Sequence, residues 1–137
     1  MSDKVFLDSN ILVYAHTDVD SKKQFVSQAL IKDNFSFIST QVLQETANIL
    51  SKKFKHSWSD IANVLADSKT NNILHINTEH TIIQACRIAD RYGFSFYDSL
   101  IISASLECNA TILYSEDLHN GQLIDDNLKI VNPFSLV

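Results

Sequence analysis

The 137-residue chain has only two Gly and one Pro. That scarcity excludes collagen-like and low-complexity chains, and 45% apolar residues argue against disorder. No apolar run approaches the roughly 20 residues needed to span a bilayer, so no membrane association is expected. The opening MSDKVFLDSN lacks a signal-peptide layout, because Asp3 and Asp8 bracket an apolar stretch too short for a secretory core. A cytoplasmic location is the default expectation. The two Cys, Cys86 in IIQACRIA and Cys108 in SASLECNA, read as reduced packing residues. No Gly-rich phosphate loop is present, which removes nucleotide binding of the P-loop or Rossmann type. The five His show no HExxH or paired spacing, so they offer no metal site of their own. His119, two residues after Asp117, reads as an exposed loop residue.

An excess of positive charge is also missing. The formal net charge is −5, which argues against a passive, charge-driven nucleic-acid binder. It leaves room for a nuclease whose acids are neutralised by metal, since two bound dications would offset four of those five charges. The largest basic cluster, Lys52, Lys53, Lys55 and His56, has two readings. It is either a solvated helix end, where cations suit the helix dipole, or a contact for an RNA backbone. Phe54 and Trp58 flank it, suited to base stacking or to core and lid packing.

What the chain does contain is short apolar runs alternating with longer helical segments. Strands are expected at 5–7, 35–38, 73–76, 111–114 and 128–131, the last stopped by Pro133. Helices are expected from Asp8 or Ser9 through 16, over 21–33, over 39–54 behind a Ser39 or Thr40 cap, and from Ser57 to about 69. Two more run from Thr78 to 92, with Gly93 as the stop, and from Ser95 to 108. Strands separated by helices imply right-handed crossovers and a parallel sheet covered on both faces. The expected fold is a three-layer α/β/α domain with a mainly parallel five-stranded sheet, residues 1–137 forming a single domain. Ligands in such sheets bind beyond the carboxyl ends of the strands, at the topological switch point.

Four acids fall where that rule points. Asp8 ends the first strand and Asp117 follows the fourth by two residues. Each has a bland alternative, a helix N-cap for Asp8 and an ordinary loop residue for Asp117. Asp98 sits on an otherwise almost wholly apolar helix, where a carboxylate is costly unless paired or bound to metal. Its alternative is to complete a capping box with Ser95. Glu45 lies mid-helix in QVLQETANIL, and its alternative is a surface residue beside Gln41 and Asn48. Four carboxylates gathered together would repel, and some would stay protonated without a counter-charge. A hard cation with oxygen ligands resolves that conflict, Mg²⁺ or Mn²⁺ rather than Zn²⁺.

These segments resemble the PIN-domain family. FLDSNILVYA is similar to its opening strand and helix, TQVLQETANIL to the helix carrying its second acid, and SFYDSLIISAS to the helix carrying its third. TILYSEDLHNGQ resembles the strand and loop of the fourth acid, and NLKIVNPF the last strand and tail. The group resembled most closely is the VapC-type toxin nucleases of prokaryotes. The resemblance implies that Asp8, Glu45, Asp98 and Asp117 bind one or two Mg²⁺ or Mn²⁺ ions and hydrolyse RNA phosphodiester bonds. It implies a supporting role for Ser115, whose hydroxyl would orient Asp8 or Asp117, and a polar position at Asn10. Glu116 is not given the role of Asp117. A small antitoxin partner and a homodimer are implied as well, with an exposed apolar face within 57–67 available for either contact.

Two other readings remain. A dehalogenase-like phosphatase would want Asp where Asn10 stands, and a receiver domain would want an acidic pair near the first strand and a Lys elsewhere than Lys129, inside its strand. A catalytically silent PIN-fold module binding RNA or protein is the second.

Overall fold

The computed structural model describes residues 3–135. Its sheet begins with β1 (Lys4–Leu7), whose Val5, Phe6 and Leu7 are fully buried. Such an unbroken apolar run marks a strand covered on both faces, the usual condition of a central parallel strand. β1 indeed lies inside the sheet, between β2 (Phe35–Ser39) and β4 (Ile112–Tyr114), parallel to both. β3 (Ile73–His75) closes one edge beside β2. On the other side β4 pairs with β6 (Leu128–Val131), and β5 (Leu123–Ile124) closes that edge antiparallel to β6. The order is β3-β2-β1-β4-β6-β5, so among the described residues the sheet has six strands rather than five. The extra strand has two residues, too few to show a period, and it is set by a turn at Asp125 and Asp126, both with positive φ.

Among the described residues six helices fill the crossovers: α1 (Ser9–Ala15), α2 (Ser21–Asp33), α3 (Thr40–Lys52), α4 (Trp58–Asn71), α5 (Glu79–Tyr92) and α6 (Phe96–Glu107). The chain moves from β1 to β2 to β3 in one direction, then returns past β1 to β4. Right-handed crossovers therefore put α1–α4 on one face and α5–α6 on the other. The packing agrees: α1 meets α2 and α3, α3 meets α4, and α5 lies along α6. No helix among the described residues is long and apolar enough to cross a membrane.

Caps set the helix starts. Ser39, not Thr40, caps α3 by accepting from the Val42 backbone, and the helix stops at Lys52, two residues short of Phe54. Ser57 caps α4 through the Asp60 N–H. Thr78 and Thr81 form a reciprocal capping box on α5. Gly93 ends α5 at φ +79°, a left-handed conformation that disfavours residues with a Cβ.

α6 is buried from Ser99 to Ser105, and two of its three buried serines find hydrogen-bond partners. Ser105 donates to the Ile101 carbonyl, and Ser103 bridges to the Thr81 carbonyl on α5. The expectation that both Cys pack inside holds only for Cys108, which lies against the main core. Cys86 is exposed, on the side of α5 away from buried Ala85 and Ile88.

Candidate active site

The switch point of the sheet lies between β1 and β4, where the strand order turns back on itself. Register pairs Leu7 with Tyr114, and the Asp8 N–H extends the ladder by donating to the Tyr114 carbonyl at 3.0 Å. One residue further on, Asp8 and Ser115 are neighbours across the two strand ends. Ser115 Oγ donates to Asp8 Oδ2 at 2.8 Å, and the Ser9 N–H donates to Oδ1 at 2.8 Å. Asp8 is thus both the N-cap of α1 and a member of the acidic group; the two readings of this residue are compatible.

Glu45 comes from the second turn of α3 and Asp98 from the first turn of α6. With Asp8, Ser9, Asn48, Ile49 and Asp117 they line one open cleft of about 290 Å³. Ser95 caps α6 by accepting from the Asp98 N–H, but only this half of a capping box forms. Among the described residues the Asp98 carboxylate accepts no hydrogen bond, which leaves it free to face the cleft.

Asp117 is the exposed member, on the rim. Asn10 Nδ2 donates to its Oδ2 at 3.2 Å, and its backbone N–H reaches Ser115 Oγ at 3.3 Å. Half-buried Asn10 thus reaches the fourth acid from the first turn of α1. Glu116 points elsewhere: it accepts from the Tyr14 hydroxyl at 2.7 Å and pairs with Lys23.

The electrostatics match the crowding. Burial, followed by the nearby charges of Glu45 and Asp98, pushes the Asp8 carboxyl up to about 6, against the hydrogen bonds from Ser115 and Ser9. Burial also raises Glu45, with Asp98 adding to it and Gln41 and Ser9 opposing it. Burial is the larger cause and like charge adds to it, and a bound cation would offset both. Among the described residues, no group of three or more Asp, Glu, His or Cys side chains is drawn together into a finished metal cage. The donors still fit a hard dication, because Mg²⁺ keeps several waters and takes only one or two carboxylates directly. Cys108 offers no competing nucleophile, since burial lifts its thiol to about 11.

Sequence reasoning missed two supports. Gln41, buried on α3, donates to Glu45 Oε2 at 3.1 Å and to the Tyr97 carbonyl at 3.0 Å, tying the second acid to the start of α6. Its i, i+4 spacing from Glu45 was the available signal. The Tyr14–Glu116–Lys23 brace joins segments about a hundred residues apart and left no local signal. The basic cluster lies at the end of α3, with Lys53 and Phe54 lining a groove that adjoins the acids. Phe54 packs beside Val13, Leu50 and Ile61, whereas Trp58 is 71% exposed and belongs to no core. Large exposed apolar residues lie less on α4 than around α5, at Ile76, Ile82 and Ile83.

An all-oxygen acidic cleft at the switch point of a parallel sheet defines the class of site. The PIN domain model matches residues 5–120, and the chain belongs to the PIN-domain family. No curated protein matches the chain. Among solved structures it is similar to Mycobacterium tuberculosis VapC20, a sarcin-ricin loop cleaving toxin, with TM-score 0.63 and 17% identity over 80% of this chain and 86% of that one. It is also similar to a chain of Rickettsia felis VapBC2 bound to a DNA fragment from its promoter. There the TM-score is 0.67 and the identity 20%, over 94% of this chain and 99% of that one.

Proposed function

We propose that this chain is a divalent-metal-dependent endoribonuclease, the toxin of a type II toxin–antitoxin pair, acting in the cytoplasm as a single PIN domain. The observation that carries the reading is buried Asp8, its carboxyl pushed up to about 6 and facing Glu45 and Asp98 in a cleft that Asp117 completes. Family membership and the likeness in fold to a sarcin-ricin loop cleaving toxin support it.

Asp8, Glu45, Asp98 and Asp117 would hold Mg²⁺ or Mn²⁺. When bound, the ion acidifies water and stabilises charge on phosphate oxygens, the demands of phosphodiester hydrolysis. The chain's own residues supply position. Ser115 fixes Asp8, Asn10 draws Asp117 inward from the rim, and Gln41 fixes Glu45 against α6. A small antitoxin and a second copy of the chain are the expected protein partners, the VapBC2 likeness supporting the first.

The test is cleavage of labelled RNA with Mg²⁺, with Mn²⁺ and with EDTA, for the parent chain and Asp98→Asn. Metal-dependent cleavage that Asp98→Asn abolishes, with an unchanged circular dichroism spectrum, is the expected result. An unchanged metal-dependent rate in that variant would sink the assignment. RNA binding without cleavage by the parent would favour a silent PIN-fold module.

A further inference from the structure

Three depressions adjoin on the face beside the acids. The acid cleft shares Ile49 and Asp117 with a second cleft of about 390 Å³, which adds Val13, Val19, Lys53 and Phe54. The second shares Val19 and Phe54 with a third of about 510 Å³, reaching Gln24 and His56. Shared walls make them one track, with Phe54 as a side of two of its compartments.

We propose, resting on the nuclease reading above, that this track is the path of single-stranded RNA away from the scissile bond, with Lys53 meeting a phosphate and Phe54 stacking on a base. Lys53 is the cation that lines the middle segment, beside three acids. Of the acids lining the middle segment besides Asp117, Glu116 is paired with Lys23, and Asp20 accepts from the Lys22 and Lys23 backbones as the cap of α2. Lys53 remains exposed, its Nζ 5.7 Å from the Phe54 ring centre, with exposed Lys52 and Lys55 beside it. Asp18 lines the far segment, so Lys53 in the middle is the point of contact for a phosphate.

Phe54 has the build of a stacking platform. Half-buried against Leu50 and Ile61, it is held by packing while part of it stays open. The His56 ring lies 6.2 Å from it, tilted by 60°, and extends the aromatic surface. Stacking on an aromatic ring together with a cation on the backbone is the usual way to hold a single strand without reading its sequence. Lys53, Phe54 and His56 supply both on this track.

The experiment uses Asp98→Asn as the background so that RNA is not cut. The probe is a fluorescein-labelled, mixed-sequence single-stranded RNA of roughly ten nucleotides, within the range of single-strand site sizes. Phe54→Leu should weaken binding about tenfold, as expected for losing one stacked base. Lys53→Gln should weaken it and reduce the slope of log affinity against log salt by about 0.7, one phosphate contact on a single strand. A 4-thiouridine-substituted probe should crosslink to the peptides carrying Val19 or Phe54. If Phe54→Leu misfolds by circular dichroism, exposed Lys53→Gln and the crosslink still decide. Unchanged affinity and salt slope, with crosslinks elsewhere, overturn the track while metal-dependent cleavage by the parent leaves the nuclease reading standing. A parent that neither binds nor cuts RNA overturns both.

Discussion

Ser115 and Asp8 lie 107 positions apart in the chain, and their side chains meet at 2.8 Å across the ends of β4 and β1. The hydroxyl donates to an oxygen of a buried carboxylate that must carry charge if it is to hold a cation. Ser115→Ala removes that donor and also the acceptor of the Asp117 N–H. Metal affinity should fall by about 10–100-fold, the usual loss when a partner of a metal-binding group is removed. Mn²⁺ titration of Ser115→Ala and Ser115→Thr checks this, with the Thr variant expected to recover most of the affinity. Equal affinity in parent and Ala variant would show that the hydroxyl does not serve the acid.

The raised Asp8 carboxyl gives a pH dependence of unusual sign. Its folded value, about 6, lies above the ordinary 3.8. The folded state therefore binds the proton more tightly than the unfolded state. The associated stability is fully present below pH 4 and is lost as pH rises toward and through 6. Asp8→Asn should accordingly stabilise the metal-free chain at pH 8 by up to about 3 kcal/mol relative to pH 4, at 1.36 kcal/mol per unit. Urea unfolding at the two pH values measures it. Added Mn²⁺ should stabilise the parent at pH 8 but not the variant. Parallel stability profiles for parent and variant would contradict the prediction.

Glu116 turns away from the cleft to hold its loop. Glu116→Gln keeps an acceptor for Tyr14 and releases Lys23. A partly exposed ion pair contributes about 1 kcal/mol or less, so the melting temperature should change little. Cleavage should fall about tenfold, less than a 1 Å misplacement of a reacting group can cost, because Asp117 follows directly in the chain. Steady-state kinetics on the parent and this variant decide, and an unaltered kcat/KM would remove Glu116 from the account of the site.

Gly93 offers a test confined to the fold. It adopts φ +79° with nothing within 4 Å of where a Cβ would stand. Gly93→Ala should therefore cost about 1 kcal/mol through backbone conformation alone, without steric clash. Thermal unfolding measures it, and metal binding should be untouched. A loss several times larger would mean that a contact has been overlooked.

The elements with strong local causes were legible in the sequence. The run Val5–Leu7 announced a buried strand, Ser57 and Thr78 announced helix starts, and Gly93 announced a helix end. Asp98 stood out because α6 is otherwise apolar. Glu45 was legible only by resemblance, since its polar neighbours Gln41 and Asn48 look like any solvated face until Gln41 proves buried. β5 was not legible at all. Its turn places Asp125 and Asp126 in the left-handed region, where an Asn-Gly pair would have been the usual signal. What holds it is tertiary: Arg87 and Tyr92 of α5 bind the Asp125 carboxylate at 2.8 and 3.0 Å. Asn10 was legible only by resemblance, as a polar position after the first acid, because its partner Asp117 lies 107 positions away.

The distance along the chain between Asp8 and Ser115 also orders events in time. A ribosome adding about 5–20 residues per second makes the first acid several seconds before the hydroxyl that steadies it. Until β4 docks beside β1, the cleft has neither its Ser115 support nor Asp117 on its rim. A growing or truncated chain that ends before residue 115 therefore lacks the assembled carboxylates, however well its first three strands have paired. Any capacity of this protein to injure RNA is withheld from its own synthesis until the sheet is nearly complete.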